Sequence, residues 1–245
     1  MTTTDFRTAD TTHADTTHAG TTHAGTTSAD AAPAAISPAD LRAASVHPPV
    51  APVAVGENGY PIAAAKQRIL ETANRLFYEE GIRAVGIDRL ISESSVTKAT
   101  FYKHYGSKDK LILEYLKVRS SLEHEFLASL QSAETNPTEV IRALMTAISD
   151  EVHRERFRGC PFLNAAAEFS DPLHPVRILV AEHRDWITDE YSSLLRSAGN
   201  PLPGDAADEL MLARDGAMAG GYAGDPISAS AALYRVVDRI LGGAR

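Results

Sequence analysis

Residues Ile87 to Leu111 read IDRLISESSVTKATFYKHYGSKDKL, and their pattern decides how the rest of the chain is read. Ile87, Leu90 and Ile91 form one apolar face over about Ile87–Ser94, with Asp88, Arg89, Ser92 and Glu93 left outside. A short turn through Ser95 and Val96 follows, with Val96 turned into the core. Thr97 then stands where a hydroxyl oxygen accepts an otherwise unpaired N–H at the start of the next helix. On that helix Phe101 and Tyr105 are four residues apart, a spacing that buries both on one face. Lys98, Thr100, Tyr102, Lys103 and His104 remain outside. Gly106 ends the helix, and Ser107 caps a following one that opens Lys108-Asp109-Lys110-Leu111. Two short helices around a tight turn, the second rich in hydroxyls and cations, have the chemistry of a helix laid against nucleic acid.

Position separates two roles on that helix. Thr97, Lys98 and Ala99 occupy its first turn and are the candidates for reading bases. A lysine there donates to guanine O6 or N7, and an alanine meets a thymine methyl. Thr100, Tyr102, Lys103, His104 and Lys108 are placed to donate to phosphates, which supply most of the affinity in such complexes. The dipole at the start of the helix that opens with Lys108 suits a phosphate as well. Taken singly, each lysine reads equally well as a solvated surface group. Caps, core positions and donors agree only when the stretch is taken whole.

The charge distribution supports this. The 245-residue chain has a formal net charge of -8, so overall charge does not favour DNA. Residues 61–120 nevertheless hold eleven basic and seven acidic side chains, including all six lysines. The blocks on either side are both acidic. A cationic island in an acidic chain is the electrostatic footprint of one DNA-contacting module.

The run GIDRLISESSVTKATFYKHYGSKDKL resembles the DNA-binding domain of the tetracycline-repressor (TetR) family of transcriptional regulators. The matching residues are Val96 to Tyr105, which end in an aromatic-basic-His-aromatic group, followed by Ser107-Lys108 and Leu111. The resemblance spans about residues 65–112. Two positions depart from the family's pattern. Ser95 stands where the family usually has glycine, and Asp88 stands where several members carry a cation or a neutral residue. The resemblance implies an all-α fold: a three-helix helix-turn-helix domain over 61–112 and a larger helical ligand-binding and dimerisation domain over 113–245.

Before that fold, residues 11–30 repeat TTHAD, TTHAG, TTHAG, TTSAD, and the chain stays rich in Ala and Pro to about Pro61. Such a composition does not offset the entropy of ordering, so 1–60 is expected to be a disordered arm. His13, His18 and His23 are evenly spaced, which suits weak metal binding but reads more simply as a solvated low-complexity tail. Ile69, Ala73, Leu76 and Phe77 then give the stripe of a first ordered helix, which Gly81 stops.

Beyond the basic block, Asn136-Pro137-Thr138-Glu139 is a capped helix start, and that helix is expected to run to about Arg156. A short helix follows from the Cys160-Pro161 region to about Phe169. The longest helix is expected over 176–198, with Ile178, Leu179, Glu182, Trp186, Ile187, Tyr191, Leu194 and Leu195 spaced for burial. Two more helices fall at about 205–223 and 227–241. The first of these is rich in small residues (Ala213, Gly216, Ala217, Ala219, Gly220, Gly221), a composition that suggests close backbone approach. Leu233, Val236, Val237 and Ile240 form an apolar stripe on the second. The resemblance implies that both pair with a second copy over about 205–241; the alternative is that the stripes are internal core. A homodimer also matches a palindromic operator with half-sites about one helical turn apart.

The resemblance further implies a small-molecule effector among the helices of 138–198. Phe162, Phe169, His183, Trp186 and Tyr191 are the candidate wall, although a helical tryptophan is more often core. Cys160 sits at a helix start, where the dipole lowers a thiol pKa, but a buried structural cysteine is the plainer reading. The single cysteine excludes a disulfide framework and a Cys-rich zinc site, and it fits a reducing cytoplasm. There is no membrane-length apolar run and no secretory signal pattern, so a soluble cytoplasmic protein is expected. His174, His183 and Cys160 show no nucleophile–base or metal-ligand spacing. No enzyme activity, cofactor or metal site is therefore expected, and the alternative to an operator-binding regulator is a helical adaptor or an enzyme on the same fold.

Overall fold

The computed structural model describes residues 61–242. The expected disordered arm and its three histidines lie outside the described residues. Among the described residues the chain forms nine α-helices and no strand. These are α1 (Pro61–Glu80), α2 (Ile87–Glu93), α3 (Lys98–Tyr105), α4 (Lys108–Ala133) and α5 (Pro137–Val152), then α6 (Pro161–Glu168), α7 (Pro175–Ser197), α8 (Pro203–Ala223) and α9 (Pro226–Gly242).

A small head is built from α1, α2 and α3 packed against the start of α4. The α1 stripe is buried as its spacing requires, and Gly81 closes the helix at φ +95. In the body α5 and α7 pack on α4 and on each other, α8 packs on α5 and α7, α9 packs on α8 and α5, and α6 is laid on α7. One contiguous apolar core runs from Ile69 in the head to Leu241 in the last helix. The division expected after residue 112 falls inside α4, so head and body share that helix.

Three sequence expectations are corrected. The longest helix among the described residues is α4, with 26 residues, not the 176–198 helix, which has 23. Nothing between Ser107 and Asn136 interrupts α4: the segment contains neither Gly nor Pro, and Pro137 only begins the next helix. The helix expected to reach Arg156 stops at Val152, and Arg156 itself has φ +61. On α7, Ile178 is exposed (44%) and so is Glu182. The buried stripe there is Val176, Leu179, Val180, His183, Ile187, Tyr191, Leu194 and Leu195. Residues 178 and 182 lie to one side of this 3.6-residue track.

The small residues of α8 have two uses. A Cβ on Gly221 would stand 2.2 Å from Val152 Cγ1, so α8 needs glycine there to lie against the end of α5. Gly216 has open space in front of it and faces outward.

Candidate nucleic-acid interface

The turn between α2 and α3 is set by its own backbone. The Ser95 N–H donates to the Ser92 carbonyl at 3.1 Å, and the Val96 N–H donates to the Ile91 carbonyl at 3.2 Å. This paired pattern closes many helices through a left-handed residue, usually glycine. Here Ser95 takes that place, with φ +53. Buried Ser94 donates its hydroxyl to the Leu90 carbonyl at 2.5 Å, and its own carbonyl accepts Arg68 Nε–H at 3.2 Å. The turn is thereby tied to α1.

α3 begins as its sequence demands. The Thr97 hydroxyl accepts the Thr100 N–H at 3.1 Å and lies 2.9 Å from the Thr100 hydroxyl. Phe101 and Tyr105 are buried, each such side chain contributing roughly 1.5–3 kcal/mol by leaving water. Burial also raises the Tyr105 pKa, and its hydroxyl donates to the Lys66 carbonyl at 2.9 Å. With these two rings inward, Thr97, Lys98, Ala99, Tyr102 and Lys103 are exposed, and Thr100 and His104 are half-buried. The eight-residue helix therefore offers its first turn and one flank to a partner.

Gly106 turns the chain at φ +73, and the Ser107 hydroxyl accepts the Lys110 N–H at 3.2 Å to start α4. Lys108 is half-buried, with its ammonium 6.0 Å from the centre of the Phe77 ring. Desolvation lowers its pKa, an effect opposed by the charges of Glu168 and Asp109. Lys110, which sequence reasoning passed over, is exposed beside it.

The arginines of the head are occupied differently. Arg89 pairs with Glu80 and, at 2.7 Å, with Glu93, while Arg75 reaches Glu93 at 2.5 Å and Glu79 at 3.8 Å. This network staples α2 to α1. Lys98 and Lys103, by contrast, form no ion pair among the described residues. Uncompensated charge on the head thus includes both lysines of α3, with Lys108 and Lys110 following at the start of α4.

A family model, Bacterial regulatory proteins, tetR family, matches residues 69–115. The chain is 30% identical over 138 residues to the HTH-type transcriptional regulator LmrA of Bacillus subtilis, covering 55% of this chain and 73% of that protein. A solved TetR-family transcriptional regulator from Streptomyces coelicolor superposes with a TM-score of 0.72 at 38% identity, covering 75% of this chain and 97% of that one. The chain belongs to the TetR family. A second solved structure, a putative TetR-type regulator from Streptomyces avermitilis, matches at a TM-score of 0.63 and 25% identity, over 72% and 97% of the two chains. This TetR-family chain is accordingly a DNA-binding transcriptional regulator, and its α2–turn–α3 unit is the helix-turn-helix. No described helix is long and apolar enough to cross a membrane.

The residues expected to line an effector site do not converge on one cavity of the TetR-family body. Trp186 and Tyr191 border an enclosed space of about 10 Å³ together with Glu123, Phe126, Leu144 and Arg214. His183 adjoins it, with Nε2 3.3 Å from Glu123 and its ring stacked on Phe162 at 3.7 Å between centroids. Phe169 lies apart, stacked on His174 at 4.3 Å. The Tyr191 hydroxyl is buried without a hydrogen-bond partner among the described residues, and burial raises its pKa. Glu123 and Arg214, which sequence reasoning missed, hold charge in the middle of this region. The sequence signal available for them was charge on otherwise apolar helix faces. Cys160 is buried, with Sγ 3.8 Å from Arg214 Nη1. A larger open cleft of about 760 Å³ contains none of the expected residues and lies between α1 and the end of α5, near Arg75, Tyr78, Arg119 and Phe157.

Proposed function

We propose that the chain is a ligand-responsive homodimeric repressor that binds a palindromic operator in the cytoplasm, with 61–112 as its DNA-binding domain and 113–245 as its regulatory domain. The observation that carries the operator reading is the exposed first turn of α3. Thr97, Lys98 and Ala99 are turned outward there as base readers, and Thr100, Tyr102, Lys103, His104 and Lys108 flank them as phosphate donors.

The outer face of α8 and α9 supports a second copy as partner. It carries a groove of about 460 Å³ bordered by Ala213, Gly216, Gly220, Ala232 and Val236, and nearby Leu212 (71%) and Ile227 (72%) are exposed. Small residues beside unburied large ones suit helices of another subunit packing closely. A two-fold dimer presents two recognition helices to inverted half-sites.

The effector binds in the body beside Trp186 and Tyr191, next to Phe162 and His183. The space there is about 10 Å³, room for one water molecule at most, so α4, α5, α7 and α8 must part to admit it. The unpartnered Tyr191 hydroxyl, beside the buried charges of Glu123 and Arg214, is a group that a ligand oxygen or nitrogen would satisfy. Such a ligand acts only through different affinities for two arrangements of the heads.

Selection of bound sequences from random DNA, with sedimentation of the resulting complex, tests the reading. Two inverted half-sites about 10 base pairs apart, bound by two chains, are expected. A single asymmetric site bound by one chain defeats the dimer, and an absence of sequence selection defeats the operator.

A further inference from the structure

The eight-residue helix α6 is tied to the DNA-binding head at both ends. Ahead of its start, the Tyr78 hydroxyl of α1 donates to the Gly159 carbonyl at 3.1 Å and accepts the Arg158 N–H at 3.0 Å. At its end, Glu168 Oε1 accepts the Ile82 N–H at 2.8 Å and Oε2 accepts the Arg83 N–H at 2.6 Å. Ile82 and Arg83 lie in the turn between α1 and α2. Both carboxylate oxygens are therefore used on two consecutive backbone amides. A Cβ on Gly81 would come within 3.3 Å of Glu168 Oε1, so the turn offers bare backbone at that point. Hydrogen bonds to a carboxylate are among the stronger and more directional ones.

The other side of α6 belongs to the body. Pro161, Phe162 and Ala165 are buried, Phe162 is stacked on His183, and Cys160 lies against Arg214. α6 thus meets the head through hydrogen bonds and the body through packing. Of the helix pairs that pack extensively, only those made by α4 otherwise join the two parts.

We propose that Glu168 is a positioning residue for operator binding: it fixes the pose of the head on the body, with α6 as the strut. This rests on the DNA-binding reading and adds to it a residue that lies outside the interface. Without the strut the head pivots about α4, and its freedom must be surrendered again when operator is bound. The strut also gives the buried Phe162–His183 contact a mechanical route to the α1–α2 turn.

Electrostatics and positioning give opposite signs for this residue. Removing a carboxylate near a DNA-binding surface raises affinity for any DNA by charge alone. Removing a strut lowers affinity for the operator.

The test compares the full chain with its Glu168→Gln and Glu168→Ala variants. Gln keeps the size and one acceptor oxygen; Ala keeps neither. Nitroxide labels on cysteines placed at Ser92 and Ala181, both exposed, report the head-to-body distance distribution by electron double resonance. Dilution into excess unlabelled chain confines each distance to one protomer. The distribution should broaden from Glu to Gln to Ala. Operator affinity should fall in the same order, by about ten-fold for Ala, while affinity for random-sequence DNA holds or rises. An Ala variant with the parent's distance distribution overturns the strut. A broadened variant that binds operator as tightly as the parent overturns the positioning role in operator binding. If the parent selects no DNA sequence, the DNA reading fails, and the distance distribution still decides whether Glu168 fixes the head.

Discussion

Arg214 and Glu123 face each other across 3.5 Å in the body, with their side chains 2% and 3% exposed. Arg214 also reaches Asp215 at 3.2 Å, which in turn pairs with Arg184 at 2.7 Å. Losing one member of a buried pair leaves the other charge poorly compensated, at a cost of about 3–5 kcal/mol. Arg214→Met should therefore lower the unfolding free energy by that order, read as a lower denaturant midpoint at unchanged slope. Combining it with Glu123→Met should recover much of the loss, because Asp215 keeps Arg184 and no buried charge is left alone. Additive losses in the double variant would show that the pair is not coupled, and equilibrium unfolding of the four chains measures this directly.

The two kinds of cation at the interface should separate in binding assays. Lys108→Ala should weaken binding to every DNA and reduce the slope of log affinity against log salt by about one unit. Lys98→Ala should leave the salt slope nearer the parent's and relax base preference at one or two operator positions. An unchanged slope for Lys108→Ala removes it from the phosphate set. An unchanged selected motif for Lys98→Ala removes that residue from the readers.

These predictions divide along the line between what the sequence makes visible and what it hides. Thr97, Ser107 and Asn136 were legible as caps because each bonds an N–H two or three residues away. Phe101 and Tyr105 were legible because helical period alone puts them on one face. Glu168 was not, since its partner Ile82 is 86 residues distant and an exposed-looking glutamate carries no local mark of it. Arg214 and Glu123 were hidden for the same reason: period predicts that a position is inside, not that a charge there finds its counterpart. Ile178 misled because its side chain is apolar although its helical phase points it outward.

Ser95 is a local departure whose effect is measurable. Its φ of +53 is the conformation that glycine adopts without cost, and in L-residues the Cβ crowds the backbone there. Ser95→Gly should keep the turn and gain up to about 1 kcal/mol, less whatever the added freedom of the unfolded chain removes. Ser95→Val should cost about 1–2 kcal/mol, because a β-branched side chain tolerates this region least. Thermal melting of the three chains should rank Gly at or above Ser, and Ser above Val. A Val variant as stable as the parent would mean that the backbone relaxes out of the left-handed region and that the paired bonds to Ser92 and Ile91 do not hold it.

Acid should loosen the head through Glu93. The hydrogen bond from Arg75, and then that from Arg89, hold its carboxyl below the ordinary glutamate value; the Arg89 hydrogen bond does the same for Glu80. A carboxyl whose pKa is lower folded than unfolded adds stability that is fully present above the unfolded value. That stability is lost as pH falls through the folded value. The relevant window therefore opens near pH 4, about the value for a free glutamate, and extends below it. Melting temperature followed downward through that window should fall less steeply for Glu93→Gln than for the parent, because the variant has no proton to gain there. The difference should shrink in high salt, since both arginine partners are exposed and screened. Parallel melting curves against pH would mean that the Arg75–Glu93–Arg89 contacts do not bind α2 to α1 in solution.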